Sequence, residues 1–212
     1  EAVVAMLACG RVGAVHSVVF GGFASNELAS RIEDSKAKII ITASCGFEPG
    51  RTVEYKPLVD KAIEISKHKP GKTILFQRED HEVKLNSSNE LDWNDLVNKA
   101  SEVDCVEMKA NDYAYILYTS GTTGTPKGIV HSCAGYLVYT KYTCMHQFGM
   151  NINSIILTAS DAGWMNGHTY ALFGPLSFGA TTVLVESPML LIDYNLLKKI
   201  LNHLPMSQVF FP

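Results

Sequence analysis

Hydrophobic residues recur along the chain in two spacings that alternate with one another. Apolar positions three or four residues apart predict helices over residues 2–11, 25–34, 55–68, 92–100, 133–148, 169–178 and 194–204. A β-branched run covers residues 14–20, and continuous apolar runs predict strands over residues 37–42, 73–77, 114–119, 128–131, 154–159, 181–186 and 208–211. Strands that are apolar throughout and alternate with helices are typical of parallel sheets covered on both faces. The pattern therefore predicts an α/β fold with parallel-rich sheets flanked by helices.

Polar and turn-forming stretches divide this series of elements. A Gly/Pro loop is predicted over residues 45–51, and the polar, charged residues 78–89 predict a surface connection. A shift in composition near residues 78–110 predicts a seam between two α/β portions, residues 1–110 and 111–212. The chain begins at Glu1 inside an apolar run and stops after the strand-like QVFF, so we expect it to be a piece of a longer protein.

Composition and charge narrow the class of protein. Of 212 residues, 47% are hydrophobic, and 18 Lys and Arg stand against 21 Asp and Glu, as in ordinary globular proteins. The net charge of −3 offers no basic footprint for nucleic acid or for a membrane surface. No apolar run reaches the roughly 18 residues that a membrane span needs. We therefore expect small-molecule partners, with no nucleic acid and no membrane.

The cysteines bear on the compartment and on metal binding. They are odd in number and have no C-x-x-C spacing, so neither a disulfide framework nor a zinc site is indicated. The five are Cys9, Cys45, Cys105, Cys133 and Cys144. A reducing compartment follows, either the cytoplasm or the mitochondrial matrix, and no metal ligand is predicted.

The densest chemical signal is the segment YTSGTTGTPKG at residues 118–128, set between two strand-like runs. Its glycines allow backbone amides to approach an anion, its hydroxyls add donors, and Lys127 adds a positive charge. Together these residues predict a loop that binds phosphate groups. The Walker A pattern is absent, because Pro126 stands five residues after Gly121 and Gly128 follows the lysine. The alternative is a flexible hairpin loop without a ligand.

This segment resembles the signature loop of the AMP-forming adenylating superfamily, which includes acyl-CoA synthetases, luciferases and peptide-synthetase adenylation domains. Residues 18–43, 47–62 and 160–184 resemble, in order, successive blocks of its acetate and propionate branch. The propionate type is the closer match through GRTVEYK at residues 50–56, and the acetate type stays open. The resemblance implies that the chain is an internal part of the large N-terminal domain of such an enzyme.

The resemblance also implies a reaction and its cofactors. In this family ATP and a carboxylate form an acyl-adenylate and pyrophosphate, and the thiol of coenzyme A then displaces AMP; Mg²⁺ is expected alongside ATP. Thr119 and Lys127 are assigned catalytic roles on the departing pyrophosphate. The residues assigned to the ATP phosphates are Thr119, Ser120, Gly121, Thr122, Thr123, Gly124 and Lys127. Those assigned to coenzyme A are Glu48, Pro49, Gly50, Arg51 and Asn166.

The segment WMNGH at residues 164–168 falls where the family places the carboxylate pocket, so Trp164, Met165 and Asn166 are assigned to that pocket. Met165 and Asn166 differ in volume and polarity from the residues usual in relatives, which leaves the acyl-chain length open. The alternative for Trp164 is core packing. His168 is expected to be a structural residue or a cap and not a base.

Other readings of the same residues stay open. Arg51 is alternatively a solvated arginine in a turn, and Tyr136, Tyr139 and Tyr142 at helical spacing predict one packed face. For the whole protein, the alternatives are a non-catalytic nucleotide or coenzyme A binding module and an adenylating ligase with another acceptor. The 212-residue chain alone is expected to be inactive.

Overall fold

The computed structural model describes residues 1–48, 50–119, 126–186 and 194–210. The chain divides into two compact units that interleave along the sequence. Unit 1 comprises Glu1–Val12, Gly21–Cys105 and Tyr118–Gly128, and unit 2 comprises Gly13–Phe20, Val106–Leu117 and Ile129–Pro212. The boundary between residues 110 and 111 stays a prediction.

Unit 1 is built on a three-stranded parallel sheet, as the apolar strands predicted. The strands are β1 (Ile39–Ala43), β4 (Lys72–Phe76) and β5 (Glu90–Asp92), in the order β1-β4-β5. The helices are α1 (Ala2–Arg11), α2 (Ser25–Ser35), α3 (Tyr55–Ile65) and α4 (Trp93–Lys99). Ala29 and Ile32 of α2 pack on Ala62 of α3, and this contact forms the core of the unit.

The Gly/Pro loop predicted over residues 45–51 is wrong, because these residues form most of an antiparallel hairpin. Strand β2 (Cys45–Glu48) pairs with β3 (Arg51–Glu54), and Glu48 lies opposite Arg51 at the turn. Gly50 has a φ of 76°, a left-handed conformation that glycine adopts without a steric penalty. The turn residues were recognised in the sequence, but two four-residue strands are too short for alternation to reveal.

Unit 2 has a second parallel sheet, in the order β10-β8-β9. Its strands are β8 (Ile155–Thr158), β9 (Thr181–Val183) and β10 (Gln208–Phe210). Strands β6 (Tyr113–Thr119) and β7 (Lys127–Ser132) pair as a separate two-stranded sheet, and each strand has residues assigned to both units. The helices are α5 (Cys133–Tyr142), α6 (Gly174–Ser177) and α7 (Tyr194–His203), with π-helical turns at Thr143–Gln147 and Gly167–Phe173. A core around Cys144, Met150 and Ile156 lies beneath the sheet.

Several local expectations need correction. The β-branched run at residues 14–20 makes only a bridge from His16 to Tyr115. Helix α3 ends at Ile65 because Ser66 is extended. Tyr136 is buried while Tyr139 and Tyr142 are exposed, so the three tyrosines do not share a packed face.

Within the described ranges, no helix is both long enough and apolar enough to cross a bilayer.

Candidate functional site

Thr119 and Lys127 mark the two ends of the glycine-rich segment. Thr119 is the last residue of β6 and Lys127 the first of β7, and both side chains are exposed. The two strands pair, so the segment connects neighbouring strands of one small sheet. Hydroxyl and ammonium donors at the ends of such a connection suit a polyanionic ligand. The predicted phosphate ligands Ser120, Gly121, Thr122, Thr123 and Gly124 lie outside the described residues.

Arg51 begins strand β3 in the hairpin and projects into solvent. Its Nε and Nη2 atoms lie 2.7 Å and 2.6 Å from Oε2 of Glu48, the residue opposite it in register. The guanidinium is therefore held by an ion pair at one edge, while its remaining N–H donors stay available to a second anion. Pro49, the other predicted residue of this turn, lies outside the described residues.

Trp164, Met165 and Asn166 form an exposed ridge that enters the π-helical turn at Gly167–Phe173. Trp164 is 53% exposed and Met165 40% exposed, so the alternative that Trp164 is a core residue is wrong. The sulfur of Met165 lies 3.3 Å from the Thr169 hydroxyl and 3.9 Å from the Tyr115 hydroxyl. Two hydroxyl donors thus orient the methionine, although Met sulfur is a weak acceptor.

Gly167 allows the chain to turn inwards directly behind this ridge. A Cβ atom at this position would overlap the backbone carbonyl of Asp161, and Gly167 is buried. The amide of Trp164 donates to the same carbonyl of Asp161 at 3.0 Å, and His168 N donates to Trp164 O at 2.9 Å. A side chain at residue 167 is incompatible with this close packing, which fixes where the exposed ridge ends and the buried turn begins.

A cluster of aromatic and histidine side chains, buried at Tyr115, Tyr136 and His168, lies beside the ridge, and the sequence analysis missed it. Its rings are stacked, tilted or edge-on with centroids 4.0 to 6.2 Å apart, and they come from all three stretches of the chain that form unit 2. The members are His16, Tyr115, His131, Tyr136, His168 and Phe173. His168 is fully buried and hydrogen-bonded, as the structural interpretation of this residue predicted.

One directed set of hydrogen bonds links two histidines of the cluster to Tyr136, Thr169 and Met165. Tyr136 donates to Thr169 Oγ1 at 3.1 Å, so its oxygen accepts from His168 Nδ1, 3.1 Å away. Neutral His168 then accepts at Nε2 from His16 Nε2, 3.0 Å away. This assignment follows from the network and leaves His16 Nδ1 as a buried acceptor without a hydrogen-bond partner, and His131 Nε2 is a second buried ring nitrogen without one. The series ends at Met165, through Thr169.

Burial keeps these histidines neutral. It lowers the pKa of His16 to about 4. Burial, and then the neighbouring His16 and His131, lower the pKa of His168 to about 3. Burial also raises the pKa of Tyr136 to about 12. The cluster is therefore uncharged near neutral pH and packs as apolar material beside the ridge.

The predicted site residues divide between the two units. Thr119, Lys127, Gly50 and Arg51 belong to unit 1, with Glu48, and the ridge belongs to unit 2. Across the described ranges, no group of three or more His, Cys, Asp or Glu side chains could hold a metal ion. The exposed donors of unit 1 can bind an anion, and the exposed tryptophan of unit 2 can make apolar contact with a ligand.

Comparison with known proteins gives a consistent result. Residues 1–208 match the family described as AMP-binding enzyme. The chain is 48% identical over 187 residues to acyl-CoA synthetase short-chain family member 3, mitochondrial, of Rattus norvegicus, covering 88% of this chain and 27% of that protein. It is 45% identical over 192 residues to acetyl-coenzyme A synthetase of Cronobacter sakazakii, covering 88% of this chain and 29% of that protein.

A structural comparison agrees with the α/β fold. The acetoacetyl-CoA synthetase from Streptomyces lividans superimposes with a TM-score of 0.78 at 24% identity, over 88% of this chain and 28% of that one. This likeness concerns the fold alone. The chain spans less than a third of the length of the relatives that it matches here.

Proposed function

Since the chain belongs to the AMP-binding enzyme family, we propose that it is part of a short-chain acyl-CoA synthetase that activates acetate or propionate. In the first step a carboxylate oxygen attacks the α-phosphorus of ATP, the bond from that phosphorus to the bridging oxygen breaks, and pyrophosphate leaves. In the second, the coenzyme A sulfur attacks the acyl carbon, the bond to the AMP oxygen breaks, and the thiol loses its proton. The relatives named as acyl-CoA and acetyl-CoA synthetases support this assignment.

Thr119 and Lys127 are proposed to act on the phosphates of ATP. The observation that carries the proposal is that the glycine-rich segment joins two paired strands and has an exposed hydroxyl at one end and an exposed ammonium at the other. Charge develops on the departing pyrophosphate, so donors already fixed at strand ends stabilise it with little reorganisation. Ser120, Gly121, Thr122, Thr123 and Gly124 are proposed to add further donors. Mg²⁺, when bound with ATP, would neutralise part of the phosphate charge.

The hairpin turn in unit 1 is proposed to contact a phosphate of coenzyme A. Arg51 supplies a planar fork of N–H donors, and part of that fork faces solvent beyond the Glu48 ion pair. Gly50, in its left-handed conformation, places no side chain directly before Arg51. Pro49 and Asn166 are proposed as further coenzyme A contacts, and Glu48 is proposed to take part through its ion pair with Arg51, with which the phosphate competes.

The ridge in unit 2 is proposed to form a wall of the carboxylate pocket. Trp164 offers an exposed apolar face, and Met165 is oriented beside it by the Thr169 hydroxyl. Asn166 adds a polar group at the entrance to the π-helical turn. A methionine fixed in this way would limit the acyl chain to a few carbons, and each methylene changes binding by only about 1–3 kcal/mol.

The free cysteines support a reducing compartment, cytoplasm or mitochondrial matrix. Each of the five lies within the described residues and is unpaired.

The proposed role of Lys127 is tested by Lys127→Ala in the intact gene product. We expect carboxylate-dependent exchange of pyrophosphate into ATP to fall by roughly 10²- to 10³-fold, because a donor to developing charge is lost. Lys38→Ala removes an equally exposed lysine from unit 1 and serves as the control. Exchange unchanged in Lys127→Ala would refute the assignment.

A further inference from the structure

Tyr118, the residue directly before Thr119, contacts helix α2 through both its hydroxyl group and its ring. Its hydroxyl donates to Oδ2 of Asp34 at 2.7 Å, and the guanidinium carbon of Arg31 lies 5.4 Å from its ring centroid. Asp34 and Arg31 are three residues apart, so they lie on the same face of α2. All three residues belong to unit 1.

The helix that holds Tyr118 is itself firmly placed. Arg31 is buried, lies 4.6 Å from the ring centroid of Phe23, and pairs with Glu27 at 2.9 Å. On the other side of α2, Ala29 and Ile32 pack against α3. Burial, and then the hydrogen bond to Asp34, raise the pKa of the Tyr118 phenol, so it stays protonated and donates. The contact therefore ties the last residues of β6 to the core of unit 1.

We propose that Asp34 and Arg31 are positioning residues that act through Tyr118 to fix Thr119, the first proposed phosphate donor. Without this contact the end of β6 would adopt several conformations, and the Thr119 hydroxyl would occupy several positions. A donor displaced by about an ångström stabilises developing charge poorly. The contact joins residues 84 apart in the sequence, so it is a long-range contact of β6 in addition to its pairing with β7. This inference rests on the proposed function of the glycine-rich segment.

The test uses Tyr118→Phe, Asp34→Ala and their double variant in the intact gene product. Each single variant is expected to lower kcat/KM for MgATP by roughly tenfold per molecule of folded protein, the value of a hydrogen bond to a charged acceptor, with the KM for the carboxylate unchanged. The double variant should match either single one, because both remove the same bond. Asp34→Asn keeps an acceptor and should recover most of the loss. Tyr113→Phe, on the exposed start of β6, is the matched control.

Three results would overturn the inference. One is an unchanged kcat/KM for MgATP in both single variants. Another is a fall in kcat/KM that disappears when the rate is divided by the fraction of folded protein, because that reports fewer folded molecules and not a displaced donor. A third is additive loss in the double variant. If the unmodified protein shows no carboxylate-dependent exchange, the proposed function fails and the positioning role fails with it; activity in the unmodified protein with unaltered variants refutes the positioning role alone.

Discussion

At the scale of single residues, the ion pair between Glu48 and Arg51 sets the charge that the hairpin offers. The carboxylate occupies the Nε and Nη2 donors of the guanidinium, which form one of its two edges for bidentate binding of a phosphate. A phosphate must therefore bind the other edge, beside the Glu48 carboxylate, or displace it. An exposed pair of this kind contributes little to stability, so its consequence is for binding.

We expect Glu48→Gln to lower the KM for coenzyme A several-fold, because it removes both a competitor for Arg51 and a repulsive charge. The effect should shrink in high salt, which screens exposed charges. Arg51→Ala should raise the same KM, and Arg51→Lys should recover only part of it, since a lysine lacks the fork. Steady-state kinetics at two ionic strengths gives the comparison. A higher KM in Glu48→Gln would mean that the carboxylate orients the arginine and does not compete with the phosphate.

Sequence reasoning reached the site residues through motifs and missed the contacts that hold them. The motif drew attention to Thr119 and Lys127, and the exposed ends of β6 and β7 are compatible with that choice. The motif did not reveal Asp34, because no sequence pattern relates a carboxylate to a tyrosine partner 84 residues later in the chain. His16 was missed for the same reason.

At the scale of elements, the π-helical turn at Gly167–Phe173 separates the exposed ridge from the buried cluster. The hydrophobic pattern predicts a helix over residues 169–178. The structure begins the helical segment earlier and winds it as a π-helix before the short α6. The spacing of hydrophobic residues predicted most helices and strands correctly, because most of these elements contain long apolar runs. Short strands such as β2, β3 and β5 were missed because three or four residues carry no clear period.

Gly167→Ala tests this element. We expect a loss of about 1–3 kcal/mol in the free energy of unfolding, because the added methyl overlaps the Asp161 carbonyl. Gly10→Ala is the matched control: nothing lies within 4 Å of an added Cβ there, and a helical glycine replaced by alanine should stabilise α1 by about 0.5–1 kcal/mol. Urea unfolding of the two variants measures both changes. Equal stability of Gly167→Ala and the unmodified protein would contradict the described packing.

At the scale of the whole molecule, the neutral histidine cluster makes stability depend on pH. The pKa values of His16 and His168 are about 4 and about 3 in the folded protein, against an ordinary value near 6.5 in the unfolded chain. Below pH 6.5 the unfolded chain binds more protons than the folded protein. Stability conferred by the neutral rings is therefore present above pH 6.5 and is lost as the pH falls towards 4.

The expected slope approaches about 1.4 kcal/mol per pH unit for each histidine between pH 5.5 and 4.5. His168→Gln should be less stable at pH 7 but lose less stability on acidification, whereas His203→Gln on the exposed end of α7 should follow the unmodified protein. Urea unfolding at pH 7, 6, 5 and 4.5 gives the slopes. Identical slopes for His168→Gln and the unmodified protein would show that the cluster does not titrate on unfolding.

The central claim, that these residues serve carboxylate activation by ATP, is tested most directly by pyrophosphate exchange into ATP. The assay uses the intact gene product with Mg²⁺ and with acetate, propionate, butyrate or no added acid, in the absence of coenzyme A. Exchange that appears with acetate or propionate, weakens with butyrate and is absent without acid is the predicted result. No exchange above the acid-free control with any of the three acids, from folded protein, would contradict the account.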